Sequence, residues 1–368
     1  MKKNSRITIL DSFRFIAIVS VVLFHYYSRW GSKENKISLY PYDNKYDFFT
    51  YGYLGVEFFF IISGFVIAYT LYSTDTIQEF WKKRLLRLLP PIVICSLITL
   101  VFCVLFDTNN IFPNAHSIKN FIVSLTFLNP VLINKFFPSL DVNYLNGSYW
   151  SLWPEIQFYF IASIIYFYRP QKFLINFSII SIVLFLLFWF EGNIHGTNIF
   201  RIQKQSFYTQ QVVFTIKAFT ITQYSLWFLM GIFFFKIYTK EYNKYTIVIL
   251  AIAGILLLKY YSSDWNVRVL SLLMLIAFGI FSCYPSLLNW LNNKIMINIG
   301  IASYTLYLIH QEIGVLLINK FAGNFGRFDF VLPIIILIVF ILFSLASYRF
   351  IEKPVNVFFK KKSFSKTA

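Results

Sequence analysis

Ten apolar runs, most of them long enough to cross a lipid bilayer, recur along the 368-residue chain with basic links between them. That pattern leaves few folds open. Inside a bilayer every backbone amide must find its partner within the protein, and helices meet that demand segment by segment. The runs lie at about 9–28, 52–72, 88–106, 149–168, 173–190, 217–237, 245–260, 266–282, 297–319 and 330–351. A weaker apolar stretch at 118–133 suits the membrane interface or a re-entrant segment. Charged residues make up only 13% of the chain, against about 25% in an average soluble domain, too few to cover a water-facing surface. The expected fold is all-α. It is a polytopic transmembrane helical bundle of about ten spans filling residues 1–354, followed by a basic tail, 355–368.

A net charge of +17 raises the possibility of nucleic acid, but the basic residues are not gathered in a soluble domain. They sit between spans, as the positive-inside rule requires, so nucleic-acid binding is excluded as a reading. Lys2, Lys3, Arg6, Lys82, Lys83, Arg84, Arg87, Arg169, Lys172, Lys236, Lys240, Lys244, Lys294 and the basic tail all fall on one side of a ten-span chain. That side is read as the cytoplasm, with both termini there. The opposite loops hold Glu34, Asp43, Asp47, Asp107, Asp141, Glu191, Asp264 and Asp329. No cleavable signal peptide is evident, because the first apolar run is long and runs into aromatic, charged sequence. Cys95, Cys103 and Cys283 lie in apolar segments without a CxxC pair or Cys/His cluster. They read as small buried hydrophobes, with no metal site and no disulfide scaffold.

Arg14 and His25 break the first apolar run. Ionisable residues are costly in a bilayer and mark sites when they occur there. Eleven residues separate the two, about three full helical turns, so both side chains leave the same face roughly 16 Å apart along the axis. With the assigned topology, His25 comes near the outer level of the membrane, together with Glu57, Glu155 and His310; Glu312 lies just above. Histidine titrates near neutrality and a carboxylate can fix its tautomer, so this level suits acid–base or acyl-transfer chemistry. Arg14, Arg84 and Arg87 collect at the inner level. Arg84 and Arg87 are three apart, hence on one helix face, and paired guanidinium forks suit phosphates.

Other polar residues read as structural. His116 and His195 fall in outer loops and are expected to be solvated, and Ser63-Gly64 is expected to give close helix packing. Neither a GxSxG elbow nor a phosphate-cradling glycine loop occurs. Ser303, Tyr307 and His310 share a helix face suited to lining a cavity, although a helix–helix hydrogen bond would account for the serine equally well.

The segment LDSFRFIAIVSVVLFH, with Arg14 and His25, is similar to the signature of the acyltransferase-3 family of integral membrane acyltransferases. GYLGVEFFFIISGF, FWKKRLLRLLPP, YWSLWPEIQFYF, SYTLYLIHQ and YRFIEKP resemble that family's other blocks in the same order, from residue 10 to 354. The resemblance implies a ten-span protein of the bacterial inner membrane that takes an acyl group, commonly acetyl, from cytoplasmic acyl-coenzyme A. It implies a glycan or lipid-linked sugar as acceptor. Under it, His25 becomes the catalytic base or acyl carrier, with Glu57, Glu155 and His310 beside it as catalytic candidates. Arg14, Arg84 and Arg87 become the contacts to acetyl-CoA, and no metal is implied. Some members carry an extra SGNH-type hydrolase domain, which this sequence lacks, so transfer is expected to be direct or completed by a separate partner. Two other classes, a transporter for a polar solute or proton and a non-catalytic subunit of a glycan-export machine, also accommodate intramembrane His and Glu.

Overall fold

Helices form at all ten apolar runs. In the computed structural model, which describes residues 6–30, 42, 47–196, 214–216, 218–261 and 263–364, they are accompanied by no strand. Lys2, Lys3, Glu34, Asp43, the side chains of Glu191 and His195, and the basic side chains from Lys360 onward lie outside the described residues. The α-helices are α1 (Thr8–Tyr27), α2 (Gly55–Tyr72), α3 (Ile77–Phe106), α4 (Ile118–Leu125), α5 (Pro130–Phe136), α6 (Leu152–Tyr168) and α7 (Phe173–Gly196). They continue with α8 (Ile221–Tyr238), α9 (Lys244–Tyr260), α10 (Trp265–Cys283), α11 (Lys294–Ile301), α12 (Ser303–Phe321), α13 (Leu332–Ser347) and α14 (Lys353–Phe364).

Among the described residues, six stretches are long and apolar enough to cross a membrane. They are Thr8–Tyr27, Phe48–Tyr72, Ile77–Phe106, Pro170–Phe190, Trp265–Cys283 and Ser303–Phe359, the last holding both α12 and α13. The protein is an all-helical, multi-pass membrane protein.

Three segments depart from expectation. Helix α3 begins at Ile77 rather than near residue 88, so Trp81–Arg87 is helical, and the helix runs through Pro90 and Pro91. Leu, Lys and Arg are good helix formers, and long basic side chains can reach water from a helix end. The stretch 118–133 becomes α4 and α5, of eight and seven residues, each started by an N-cap side chain, Ser117 and Asn129. Neither reaches across a bilayer at 1.5 Å per residue. The run at 297–319 is broken at Ala302, between α11 and α12. Cys95 and Cys103 are buried, but Cys283, the final residue of α10, is exposed.

The chain divides into two compact units. The first comprises Met1–Val56, Trp81–Trp150 and Trp290–Ala368. In it α1 packs against the 3-10 segment Asp47–Leu54, α11 and α12. At Gly300 the α11 backbone rests on α1 so closely that a Cβ would meet the Asp11 carbonyl oxygen at 1.8 Å.

The second unit comprises Glu57–Phe80 and Ser151–Asn289. Helix α8 is its buried centre, packed on α6, α7, α9 and α10. Within the Glu57–Phe80 segment, α2 crosses α8 backbone to backbone. A Cβ on Gly64 would lie 2.1 Å from Phe228 O, and one on Gly231 would lie 2.1 Å from Ile61 O. The Ser63-Gly64 pair thus gives the close packing its sequence suggested.

Candidate active site

The last turn of α1 carries His25, whose Nδ1 lies 2.9 Å from the carbonyl of Val21, one turn earlier. Opposite it, on α12, His310 is wholly buried and its Nδ1 lies 2.7 Å from the carbonyl of Tyr307. The two rings meet edge to face, with His310 Nε2 3.3 Å from His25 Nδ1. A carbonyl oxygen only accepts, so each Nδ1 carries the ring proton. His310 Nε2 is then a lone pair that shares the His25 Nδ1–H with Val21. The remaining lone pair of the couple is on His25 Nε2, to which no described residue donates. His25 is half-buried, whereas His310 is sealed behind it.

Tyr26, next to His25, locks the two helices together. Its hydroxyl donates to the His310 carbonyl at 2.9 Å. That approach needs Gly314 on α12, since a Cβ there would stand 2.1 Å from the Tyr26 hydroxyl. Tyr307 extends the network by donating to the Ser148 carbonyl at 2.8 Å.

Within the first unit, a second imidazole stands beside His25, and Glu312 is turned away from the pair. Helical phase explains the latter. Glu312 follows His310 by two residues, about 200° around α12, and so leaves the opposite face. There Glu312 accepts from the backbone N–H of Gly147 at 2.6 Å and from Gln311. Glu57 and Glu155 belong to the second unit. Glu155 accepts from Ser63 Oγ at 3.0 Å and from the Tyr159 hydroxyl one turn along α6. Glu57 is buried, and its Oε2 has no hydrogen-bond partner among the described residues. The flanking residues of the Glu155 block are anchors: Trp153 Nε1 donates to Ala218 O, and Gln157 Oε1 accepts from Ile221 N.

The arginines are not lone cations. Asp11, 1% exposed, binds Arg14 Nη1 at 2.6 Å and Arg6 Nε at 2.6 Å. Burial alone would pull the Arg6 pKa down, but its hydrogen bond and charge pairing with Asp11 outweigh that and hold it up. Arg87 stands within electrostatic reach of Arg14 and of Glu352. Glu352 in turn accepts from Thr305 at 2.7 Å. Arg84 is buried three residues before Arg87 on α3. The structure therefore pairs Arg14 and Arg6 with an acid that the sequence reading missed, and Arg87 lies within electrostatic reach of Arg14. Asp11 precedes Arg14 by three residues, the spacing of an in-helix ion pair, and that was the available signal. His116 also differs from its expected solvated state, its Nε2 lying 3.0 Å from the buried carboxylate of Asp107. Among the described residues no three His, Cys, Asp or Glu side chains gather to hold a metal ion.

A membrane helical protein with a half-buried imidazole, backed by a buried ring and sharing its helix with the paired guanidinium of Arg14, has the parts of a group-transfer enzyme. Residues 7–349 match the family described as "Acyltransferase domain", acyltransferase-3, and the chain belongs to that family of acyltransferases. O-acetyltransferase OatA of Staphylococcus aureus, strains NCTC 8325 / PS 47 and MRSA252, is 27% identical over 388 residues covering 96% of this chain. The chain spans 57% of the length of those relatives. No solved structure matches it.

Proposed function

We propose that the protein is a membrane O-acetyltransferase that moves acetyl from acetyl-CoA to a hydroxyl of a cell-surface glycan. The reading includes about ten spans with both termini in the cytoplasm of a bacterium, so that the donor arrives from inside and the acceptor from outside. Arg14, Arg84 and Arg87 take the phosphates of the donor. At the other end of α1, His25 Nε2 receives the proton of the acceptor hydroxyl as its oxygen attacks the thioester carbonyl. The C–S bond breaks and the coenzyme leaves as the thiol, with that proton. The alternative order, in which Nε2 first carries the acetyl group, uses the same lone pair. In both, His310 holds the Nδ1–H and steadies the imidazolium as it forms, the part an acid plays in a hydrolase triad.

The observation that carries this reading is a half-buried ring whose Nδ1 is held by Val21 and His310, which leaves Nε2 as its lone pair. Support for acetyl as the group comes from the name of the OatA relatives. The test is incorporation of radiolabelled acetyl from acetyl-CoA into envelope glycan by membrane vesicles. Wild-type protein should label the glycan, and His25→Ala at matched expression should not. Unchanged labelling by His25→Ala overturns the assigned base; no labelling of any glycan overturns the acceptor class.

A further inference from the structure

On the face of α12 turned away from the histidine pair, a cavity of about 320 Å³ lies wholly within the first unit. Its walls come from the end of α1 (Trp30), the segment 111–115, the segment 143–147 and α12 (Gln311, Glu312). Pockets for small ligands start at about this size.

The walls are fixed by side chains that bond to their backbone. The Asp107 carboxylate accepts from the backbone N–H of Ile111 and Phe112, both at 2.8 Å, and so sets the first wall. The second wall is tied at three successive points: Asn143 N to Asn120 Oδ1 at 2.8 Å, Leu145 N to Ser124 Oγ at 3.0 Å, and Gly147 N to Glu312 Oε1 at 2.6 Å. Trp30 is held edge to face by Phe112.

Against this built frame, two buried polar atoms lack a partner among the described residues. One is Glu312 Oε2, on a side chain 3% exposed; the other is Trp30 Nε1. A buried acceptor left unmade costs about 1–3 kcal/mol, more when charged, so an atom of that kind in a cavity wall is a ligand atom in waiting. The other polar walls are the amides Asn114, Asn143 and Gln311 and the phenol of Tyr144, and among the described residues no Lys, Arg or His lines the cavity. Such a set is wrong for phosphate or carboxylate. It suits a neutral polyol: a carboxylate accepts from hydroxyls, amides donate and accept, and an indole offers both an apolar surface and an N–H.

We propose that this cavity binds one ring of a neutral glycan chain, with Glu312 Oε2 accepting from its hydroxyls and Trp30 Nε1 donating to one. The cavity is then an acceptor subsite, an assignment that rests on the proposed glycan O-acetyltransferase activity. Glu312 is two residues past His310 on α12, about 3 Å along the axis and on the other face, so the bound ring is a neighbour of the one acetylated.

The test uses full-length protein in a zwitterionic, sugar-free detergent, with neutral oligosaccharides released from de-O-acetylated envelope glycan as the probe. Saturation-transfer NMR reads binding, and acetyl transfer to the same oligosaccharides is followed on the same preparations. Glu312→Gln keeps an oxygen for Gly147 N–H, and Trp30→Phe keeps the aromatic packing. Each should weaken oligosaccharide binding about tenfold and raise the acceptor KM alike, with the acetyl-CoA KM unchanged. Asn143→Ala guards against misfolding, since that side chain is exposed and only its backbone ties the wall; a smaller loss of the same kind is expected. Oligosaccharide binding and acceptor KM unchanged in all three variants overturn the subsite while leaving the transferase reading intact. Displacement of the oligosaccharide by coenzyme A also overturns it. Variant-sensitive sugar binding in protein that transfers no acetyl supports the cavity and removes the transferase reading instead.

Discussion

His310 Nε2 stands 3.3 Å from His25 Nδ1, and the two rings divide one task between them. The buried ring has no route to a substrate, while the half-buried ring keeps a second nitrogen to which no described residue donates. His310 is therefore a positioning residue. His310→Ala should lower kcat for acetyl transfer about 10- to 100-fold, below the 10²–10⁴-fold of a lost general base, and leave the acetyl-CoA KM unchanged. His310→Gln, which can still accept at its amide oxygen, should recover part of that loss. Equal rates for His310→Ala and wild type would remove His310 from the site.

Asp11 is a buried anion shared by two guanidiniums, and removing one partner of a buried ion pair costs about 3–5 kcal/mol. Asp11→Ala should therefore depress the thermal midpoint of purified protein by several degrees. The informative experiment is the cycle with Arg14→Ala. The double variant should be less damaged than the two single losses added together, because Asp11→Ala has already stranded the charge that Arg14→Ala would remove. Simple additivity would mean that the pair contributes nothing.

Gly64 and Gly231 let α2 and α8 touch backbone to backbone within the second unit. Alanine at either position brings a methyl within 2.1 Å of a carbonyl oxygen, and neither helix backbone can yield as a side-chain tip would. Each substitution should cost about 1–3 kcal/mol, read as a lower midpoint of heat-induced aggregation. A midpoint within experimental error of wild type would show that the crossing is looser than described.

Asp107 holds the 111–116 segment by two backbone N–H groups and His116. Asp107→Asn should release them, and hydrogen exchange in a peptide covering residues 107–117 should quicken by about tenfold, the equivalent of 1.4 kcal/mol. Unchanged exchange would show that packing alone holds the segment.

Much of this was legible because polar residues in apolar runs are conspicuous. Arg14, His25 and His310 stood out for their cost, and the structure joins the two histidines while pairing Arg14 with Asp11. What escaped depends on phase and on partners far away in sequence. Asp11 lies so near the start of α1 that it reads as a boundary residue, although its three-residue spacing to Arg14 places both on one face. Glu312 sits two residues from His310, which looks like proximity on paper and is opposition on a helix. Tyr26 and Gly314 form a lock across 288 positions that neither residue announces alone. The apolar run near residue 88 marked only part of α3: the helix extends back to Ile77 through Lys82, Lys83, Arg84 and Arg87, each of which favours a helix by conformation, as the shared face of Arg84 and Arg87 had suggested.

The carbonyls of Val21 and Tyr307 have a consequence for the energy of the cell. Each terminates the Nδ1–H of its histidine, and a backbone carbonyl accepts a proton's bond without passing the proton on. A charge taken up at His25 Nε2 must therefore leave by the door through which it came. An imidazole couple set deep in an otherwise apolar protein would, with hydroxyls or water on both edges, be a leak in the proton gradient. Among the described residues the couple is a dead end, so the chemistry proposed at His25 need not discharge the membrane that houses it.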